Sequence, residues 1–406
     1  MATAVIVGAG QAGGEAALAL READPAGTLT LVGDEPHVPY ERPPLSKGVL
    51  TGDAEPAATH LRERAHYGER GIDLRLDASV TAIDRSGRGV ELSDGSSLAY
   101  DRLLIATGAR VRRLDLPGGG LDGVFYLRDI ADSLRLRAAL VPGARLVVVG
   151  GGYIGLEVAA SARKRGCEAM VVELAGRIMN RVVAPEMSDH FAALHRAAGV
   201  EIRTATTVAA IEGDGRVREL ALSDGGRVAA DAVVIGVGVV PNVELAEEAG
   251  LEVDDGIRVD AFARTADPDV FAAGDATNHF NPLLGRSLRL ESWQNAQNQA
   301  IAAARNMAGA EAAYAEIPWF WSDQHGINLQ MVGAPESWDQ VVRRDAGGDG
   351  ERFTLFYLAG DRLVAANTVD NARDIRPSRL LIERGTPLTA AELADPGVKM
   401  QQLVKR

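Results

Sequence analysis

Glycine recurs at one fixed spacing in two stretches of the chain, and an acidic residue follows each stretch. Gly8, Gly10 and Gly13 form the first GxGxxG pattern, which opens the alanine-rich run AGGEAALALREA. In such a pattern the first glycine permits a tight turn, the second lets the backbone approach a pyrophosphate, and the third lets a helix pack closely on a strand. The helix N-terminus then offers N–H groups to the anion. These residues therefore predict a dinucleotide-binding loop near the start of the chain.

The second pattern, in LVVVGGGYIGLE, comes 142 residues later and repeats every part of the first. Gly150, Gly152 and Gly155 supply the glycines, Ile154 lies within the loop, and Glu157 follows two residues after it. Two complete patterns predict two bound dinucleotides. One chain that holds both is most simply an enzyme that passes electrons from one to the other.

Three acidic residues stand where a dinucleotide's sugar groups would need them. Asp34 lies 21 residues past Gly13, and Glu173 lies 18 residues past Gly155, the distance at which a ribose-binding carboxylate is expected. Asp275 ends the apolar run of DVFAAGDAT, from which a carboxylate can accept a hydrogen bond from a sugar-alcohol hydroxyl. The acids therefore support the prediction that both loops bind dinucleotides.

The elements that must position these residues follow from the apolar pattern. Buried strands are predicted over 4–10 and 145–149, each followed by a helix and then by a strand that ends in an acid. Near the end of the chain, RFTLFYLAGDRLVAANTV predicts a hairpin, and TAAE at 389–392 is a capping box for a short helix. The expected fold class is α/β, with two Rossmann-like dinucleotide-binding domains and a small C-terminal α+β domain.

Composition limits the function. The formal net charge of −13 over 406 residues would repel nucleic acid and anionic lipid. No apolar run reaches the ~20 residues that a membrane span needs, and MATAVIVGAG enters a strand without the marks of a signal peptide. We therefore expect no nucleic-acid partner, no membrane association and a cytoplasmic location.

Thiol and metal chemistry are also disfavoured. Cys167 is the one cysteine of the sequence, so there is no CxxC redox pair and no set of ligands for an iron–sulfur cluster. The seven histidines show no ligand spacing: His190 and His195 are five residues apart, not three or four. We expect no metal site, and any redox chemistry must use a bound organic cofactor.

The motifs together resemble a known family. GxGxxG at the start, LLIATGA, the internal GGGYIGLE and VFAAGDAT are similar to the two-dinucleotide flavoprotein reductases of the glutathione-reductase type. The resemblance implies FAD on the first loop and NADH on the second, with the second domain inserted in the first. It implies an FAD-binding domain over 1–112 and 241–319, an NADH-binding domain over 113–240, and a C-terminal domain over 320–406.

Two further stretches, PYERPPLSK and WFWSDQHGINLQMVG, resemble the ferredoxin reductases that serve bacterial cytochrome P450s and aromatic-ring dioxygenases. That group lacks the cysteines of the disulfide reductases, as this chain does. The resemblance implies an NADH:ferredoxin oxidoreductase that passes hydride from NADH to FAD and then single electrons to a [2Fe–2S] ferredoxin, and through it to a P450 or dioxygenase. A rubredoxin reductase, or a relative of apoptosis-inducing factor that acts through binding partners, remains an alternative.

The resemblance also assigns residues. For FAD it implies contacts from Gly8, Gly10, Ala12, Gly13, Asp34, Lys47, Val80, Arg128, Asp275 and Trp293. For NADH it implies Gly150, Gly152, Ile154, Gly155, Glu157 and Glu173. Lys47 and Glu157 would be the catalytic pair across the isoalloxazine face, because a cation near N5 favours the negative charge that develops there. Glu157 has a simpler alternative role, as a carboxylate in the field of a helix N-terminus.

Docking of a ferredoxin depends on the charge of the reductase surface. Ferredoxins of this kind are usually acidic, so a negatively charged reductase needs a local basic patch. RVRR at 110–113, with Arg286 and Arg289, supplies the candidate cations.

Overall fold

A computed structural model of the chain describes residues 2–347 and 350–406. The strands are β1 (Thr3–Val7), β2 (Thr28–Val32), β3 (Ile72–Arg75), β4 (Val80–Asp84), β5 (Gly89–Leu92), β6 (Ser97–Ala99), β7 (Arg102–Ile105), β8 (Ala109–Val111), β9 (Val124–Phe125), β10 (Arg145–Val149), β11 (Glu168–Val172), β12 (Val200–Arg203), β13 (Val208–Asp214), β14 (Arg216–Leu222), β15 (Arg227–Ala229), β16 (Ala232–Ile235), β17 (Val239–Pro241), β18 (Ile257–Val259), β19 (Val270–Ala272), β20 (Thr277–Asn281), β21 (Arg286–Arg289), β22 (Trp319–Gln324), β23 (Ile327–Gly333), β24 (Gln340–Asp345), β25 (Phe353–Ala359) and β26 (Arg362–Val369).

The helices follow the same chain order. They are α1 (Gln11–Ala23), α2 (Gly48–Thr51), α3 (Arg64–Glu69), α4 (Ile130–Ala139), α5 (Tyr153–Lys164), α6 (Pro185–Ala197), α7 (Glu244–Glu248), α8 (Trp293–Met307), α9 (Ile375–Arg384), α10 (Ala390–Ala394) and α11 (Met400–Val404), with 3-10 turns at Pro43–Ser46, Pro56–Thr59 and Ala372–Asp374. Within the described ranges, no helix is both long enough and apolar enough to cross a membrane.

The chain divides into two compact units. The first contains Met1–Arg42, Ala57–Arg110 and Val240–Pro318, and the second contains Pro43–Pro56, Val111–Val239 and Trp319–Arg406. The segment Pro43–Pro56, which carries Lys47, thus packs within the second unit, whereas the resemblance grouped it with the FAD-binding domain.

The first unit is built on a parallel sheet in the order β19-β7-β1-β2-β3. Its central strand β1 pairs in register with β2 and β7, with Val5 opposite Thr30 and Leu103. After Thr3, the β1 residues are apolar without interruption and buried, as expected for a parallel strand that is covered on both faces. An antiparallel sheet, β4-β5-β6, is inserted between β3 and β7.

The second unit repeats this plan. Its parallel sheet has the order β12-β11-β10-β16-β9, and the antiparallel sheet β13-β14-β15 is inserted between β12 and β16. In both units the glycine loop follows the central strand, β1 or β10, at the carboxyl end where a nucleotide is expected in an open α/β sheet. The predicted pair of Rossmann-like domains is confirmed.

The C-terminal part of the second unit is an antiparallel sheet in the order β22-β23-β26-β25-β24, packed by α9 to α11. Its buried Phe353 and Tyr357 belong to one apolar cluster with Phe191 of α6 and Leu156 of α5. The predicted hairpin corresponds to β25 and β26, and the capping box at Thr389 begins α10. The predicted C-terminal α+β fold is therefore confirmed.

Candidate functional site

The first glycine loop, between β1 and α1, has the contacts that a phosphate-binding loop requires. A Cβ built on Gly8 would lie 2.2 Å from the carbonyl oxygen of Ala106, and one on Gly13 would lie 1.8 Å from that of Gly8. Both positions therefore exclude a side chain. A Cβ on Gly10 would have no described atom within 4 Å, so the space in front of the middle glycine is open. The loop fits a pyrophosphate that approaches Gly10 and the N-terminus of α1.

The second loop, between β10 and α5, has the same contacts. A Cβ on Gly150 would lie 2.3 Å from the Gly236 carbonyl oxygen, and one on Gly155 would lie 2.2 Å from the Gly150 carbonyl oxygen. A Cβ built on Gly152 would again have no neighbouring atom of the described residues within 4 Å. Ile154, in the first turn of α5, is 46% exposed beside this space. The loop therefore also fits a dinucleotide.

Two acidic residues, Asp34 and Glu35, follow β2, and they differ in their hydrogen bonds and exposure. The Glu35 carboxylate accepts hydrogen bonds from the Tyr40 hydroxyl at 2.6 Å and from the Arg42 guanidinium at 2.7 Å. Asp34, one residue earlier, is exposed. Because Glu35 is bound within its own loop, Asp34 is the more available acceptor for a ribose hydroxyl.

The turn at Gly274 and Asp275, after β19, lies against the first loop. Gly274 has φ +84°, and a Cβ built on it would lie 3.0 Å from the Ala12 Cβ. Gln299 of α8 fixes this turn, since its side-chain oxygen accepts from the Gly274 N–H at 2.9 Å and from the Thr277 hydroxyl at 3.0 Å. The half-buried Asp275 is thereby held beside the first loop.

Two other residues that the resemblance assigned to FAD also lie in the first unit. Val80 begins β4 opposite Leu92, and Trp293 is the first residue of α8, after the N-cap Ser292. Both are half-buried. Arg128 lies in the second unit, where its backbone N–H donates to Asp132 at 3.0 Å.

Glu173, after β11, is bound to the second loop. One carboxylate oxygen accepts from the Gly151 N–H at 2.7 Å, and the other accepts from the Ala175 N–H at 2.7 Å. The side chain is half-buried. The carboxylate thus lies at the edge of the open loop, where an adenosine ribose would bring its hydroxyls.

Lys47 and Glu157 form an ion pair in the second unit. The Lys47 Nζ lies 2.7 Å from Glu157 Oε2, with side chains 23% and 2% exposed respectively. The Ser46 hydroxyl donates to the same oxygen at 2.5 Å, and the Ser322 hydroxyl donates to Oε1 at 2.6 Å. These three side-chain donors engage the buried carboxylate directly, in addition to any effect of the helix N-terminus, and the pairing with Lys47 that the sequence predicts is present.

The segment that carries Lys47 is fixed on α5 and α4 by buried hydroxyls. Ser161, one turn after Glu157, donates to the Ser46 carbonyl oxygen at 2.6 Å, and Ser133 of α4 donates to the Leu45 carbonyl oxygen at 2.7 Å. Arg165 donates to the Thr51 carbonyl oxygen at 2.9 Å. These bonds hold the lysine backbone on the helix that begins at the second loop.

Several residues of this site carry no signal in the local sequence. Ser322 is 165 residues from Glu157, and Gln324 is 129 residues from His195, which it contacts. From the sequence, neither His195 nor Ser46 is predicted to have a role. Tertiary packing brings these side chains together, because β22 lies on α5 and His195 of α6 contacts Gln324 of β22.

Metal ligands are not assembled anywhere in the described ranges. Residues 2–347 and 350–406 contain no group of three or more His, Cys, Asp or Glu side chains arranged to hold a metal ion.

Comparisons with known proteins extend these observations. The model of the pyridine nucleotide-disulphide oxidoreductase family matches residues 2–300, and a reductase C-terminal model matches residues 319–404. The chain is 47% identical over 403 residues to the anthranilate 1,2-dioxygenase system ferredoxin–NAD(+) reductase component of Burkholderia cepacia, with 98% of each chain covered. It is 40% identical over 406 residues to putidaredoxin reductase of Pseudomonas putida, covering 98% of this chain and 96% of the relative. A chain in the crystal structure of the covalent putidaredoxin reductase–putidaredoxin complex matches with a TM-score of 0.96 and 40% identity, over 100% of this chain and 98% of that one.

Proposed function

The chain belongs to the pyridine nucleotide-disulphide oxidoreductase family, and from this premise we propose that it is an FAD-dependent NADH:ferredoxin reductase. Relatives with this activity in their names match over nearly the full length of both chains. The observation in the structure that carries the proposal is the Lys47–Glu157 ion pair on α5, the helix that begins at the second dinucleotide loop.

Disulfide chemistry has no nucleophile in this chain. Cys167 is fully buried, and its thiol donates to the Val141 carbonyl oxygen at 3.3 Å. Burial raises the pKa of this thiol, which disfavours the reactive thiolate. Since the sequence has no second cysteine, the chain has no dithiol pair to receive electrons from the flavin, and a separate acceptor is required.

We assign FAD to the first loop with Asp34, Val80, Asp275 and Trp293, and NADH to the second loop with Ile154 and Glu173. When bound, FAD accepts a hydride and releases its electrons one at a time, chemistry that the protein alone lacks. The assignment of Lys47 and Arg128 as further FAD contacts rests on the resemblance. The Lys47 ammonium stabilises negative charge as hydride is accepted, and Glu157 holds that ammonium in place.

The proposed electron acceptor is a [2Fe–2S] ferredoxin, which passes electrons to a cytochrome P450 or a ring dioxygenase. Relatives named for dioxygenase systems, and the solved complex with putidaredoxin, support this acceptor class. We also propose a cytoplasmic location, with which the electron donor NADH and the ferredoxin acceptor are consistent.

Steady-state turnover tests the proposal. FAD-loaded protein should oxidise NADH rapidly when a [2Fe–2S] ferredoxin is added and slowly without it. Rapid turnover with rubredoxin alone would support the rubredoxin reductase alternative. Tight NADH binding with no turnover on any carrier would support a protein that acts through binding partners.

A further inference from the structure

A row of buried polar side chains extends from Glu157 to the turn between β22 and β23. The Ser322 hydroxyl contacts Glu157 Oε1 at 2.6 Å, and Gln324 Nε2 lies 3.0 Å from Ser322 Oγ. Gln324 Oε1 lies 2.8 Å from His195 Nε2, and His195 Nδ1 lies 3.1 Å from His325 Nε2. Every member belongs to the second unit.

Backbone geometry explains how the row is assembled. Ser322 and Gln324 are two residues apart on β22, so both side chains point to the same face, and both are at most 1% exposed. His325 and Gly326 form the two-residue turn to β23, with φ of +53° and +82°, the backbone that a type I′ hairpin turn requires. The turn places His325 beside the fully buried His195 of α6.

The direction of each hydrogen bond follows from the Glu157 end. A carboxylate paired with the Lys47 ammonium only accepts, so Ser322 must donate to it, which leaves the Ser322 oxygen as the acceptor for the Gln324 amide N–H. The Gln324 oxygen then accepts from His195 Nε2–H. Burial lowers the pKa of His195 to about 4, so the ring is neutral near pH 7 and its Nδ1 accepts from His325. All four bonds therefore donate toward Glu157.

This row does not suit proton transfer. A side-chain amide donates through nitrogen and accepts through oxygen, so a proton could pass Gln324 only through an unfavourable imidic acid form. Instead, the row is a series of aligned hydrogen bonds whose last member donates to one oxygen of the Glu157 carboxylate. In this buried setting each hydrogen bond polarises the next.

We propose that Ser322, Gln324 and His195 are positioning residues, which fix the Glu157 carboxylate so that it holds the Lys47 ammonium in the orientation used for hydride transfer. This inference rests on the proposed function of the Lys47–Glu157 pair. Ser46 and Lys47 both donate hydrogen bonds to Glu157 Oε2. Among the described residues, Ser322 is the one whose side chain donates to Glu157 Oε1. Without Ser322 the buried Oε1 loses that donor, and the carboxylate is free to rotate toward other partners.

The test is a double-mutant cycle on the rate of flavin reduction by NADH, measured by stopped flow at saturating NADH. Ser322→Ala should slow this step about tenfold, the equivalent of ~1.4 kcal/mol and within the range for a hydrogen bond to a charged group. In a Glu157→Gln background the same change should slow it less than about twofold, because a positioning residue acts only through its target. Ser322→Thr, which keeps the hydroxyl, should restore the wild-type rate.

Thr354→Val is the matched control. Thr354 is fully buried and donates to the buried Asp374 carboxylate at 2.9 Å, so its loss removes the same kind of bond elsewhere in the C-terminal sheet. This variant should lose thermal stability and keep the wild-type rate of flavin reduction. Gln324→Leu, which breaks the row one bond further out, should slow the step about threefold and carries the test if Ser322→Ala does not bind FAD.

Equal slowing by Ser322→Ala in both backgrounds, or none in either, would overturn the inference. Histidine ¹⁵N spectra give a separate readout, assigned with His195→Gln: we expect His195 as the neutral Nε2–H tautomer at pH 7, and the Nδ1–H tautomer would contradict the direction of the row. If NADH reduces the flavin but no ferredoxin accepts electrons, the proposed acceptor fails while this cycle remains measurable.

Discussion

Glu157 is the acceptor on which Lys47, Ser46 and Ser322 converge. Replacing Lys47 by Met, or Glu157 by Gln, should leave FAD bound and slow flavin reduction by roughly 10- to 1,000-fold, if one preorganised contact supplies ~1.4–4 kcal/mol. Stopped-flow bleaching of the flavin by NADH measures this step alone. Wild-type rates in both variants would mean that the ion pair is structural only.

Glu173 should make the protein select NADH. Its carboxylate lies on the second loop and would repel the 2′-phosphate of NADPH, so kcat/KM should favour NADH on the order of 100-fold. Arg177, four residues after Glu173, donates to the Asn180 carbonyl oxygen at 2.9 Å, so this guanidinium nitrogen is already engaged within its own loop. Glu173→Ala should narrow the preference, whereas Glu168→Ala, at the other end of β11, should keep it. Equal efficiency of the two cofactors in the wild type would remove Glu173 from the ribose site.

Buried histidines should make the fold sensitive to mild acid. Burial lowers the pKa of His195 and of His279 to about 4, below the ~6.5 expected in the unfolded chain. Between these values the unfolded state binds protons that the folded state does not, so stability is full above pH ~6.5 and falls as the pH falls toward 4. Each histidine should cost about 2 kcal/mol by pH ~5.

The melting temperature of FAD-loaded protein between pH 7.5 and 5 measures this effect. Neither ring nitrogen of His279 has a hydrogen-bond partner among the described residues, so His279→Phe removes the titrating ring without removing a hydrogen bond. This variant should lose less stability on acidification than the wild type. An identical pH slope would assign the acid sensitivity to other groups.

The sequence predicted those site residues that sit in local patterns, and it missed those that do not. The glycines, Asp34 and Glu173 stand at fixed spacings, because a turn and the helix after it fix how the backbone meets a phosphate. Ser322 and His195 donate hydrogen bonds to residues more than a hundred positions away in the sequence. A single serine or histidine belongs to no spacing pattern, so the sequence alone does not reveal such a role.

The two strand–loop–helix elements lead to a prediction about the loops. Gly155→Ala would bring a Cβ to 2.2 Å from the Gly150 carbonyl oxygen, so it should distort the loop and lower the melting temperature. Gly152→Ala meets nothing within 4 Å among the described atoms, so the fold should persist while the methyl group occupies the space for the pyrophosphate. We expect Gly152→Ala to raise the Kd for NADH at least about tenfold, ~1.4 kcal/mol, with little change in melting temperature.

Gly176→Ala supplies the control for these loop variants. Gly176 lies in the loop after β11, and a Cβ on it would also have no described neighbour within 4 Å. Its replacement should change neither the Kd for NADH nor the melting temperature. If Gly152→Ala binds NADH as tightly as Gly176→Ala does, the pyrophosphate does not approach the second loop.

Elements with strong local signals were predicted well. The strand predicted over 145–149 is β10, and the C-terminal hairpin is β25 and β26. The Thr389 capping box is present with both of its bonds. Within the order β22-β23-β26-β25-β24, the pairing of β23 with β26 was not predicted, because strands that are not consecutive in the chain are brought together by tertiary packing, here with α9 against both, and not by local periodicity.

The charge of the whole molecule bears on ferredoxin docking. With a net charge of −13, the protein should repel an acidic ferredoxin except where cations are concentrated. Of the candidate cations, Arg110 pairs with Glu244 at 2.6 Å, and Arg289 pairs with Asp255 at 3.1 Å and with Glu291. Arg112 and Arg113 are exposed and are the better candidates.

Salt dependence tests this electrostatic docking. Ferredoxin reduction should slow as ionic strength rises, since the Debye length falls from ~10 Å at 0.1 M to ~3 Å at 1 M salt, while flavin reduction by NADH should change little. Arg112→Gln should raise the KM for ferredoxin more than Arg110→Gln, whose charge is already paired. Ferredoxin reduction that ignores both salt and Arg112 would place docking on another surface.

An anaerobic single-turnover experiment tests most directly whether this protein transfers electrons from NADH to a ferredoxin. FAD-loaded protein is mixed with one equivalent of NADH and then with excess oxidised [2Fe–2S] ferredoxin, while flavin and cluster absorbance are recorded separately. We predict that the flavin bleaches on mixing with NADH and that its colour returns as the clusters are reduced, with two ferredoxins reduced per NADH because each accepts one electron. A flavin that bleaches and then stays reduced in the presence of every [2Fe–2S] ferredoxin offered would contradict the proposed function.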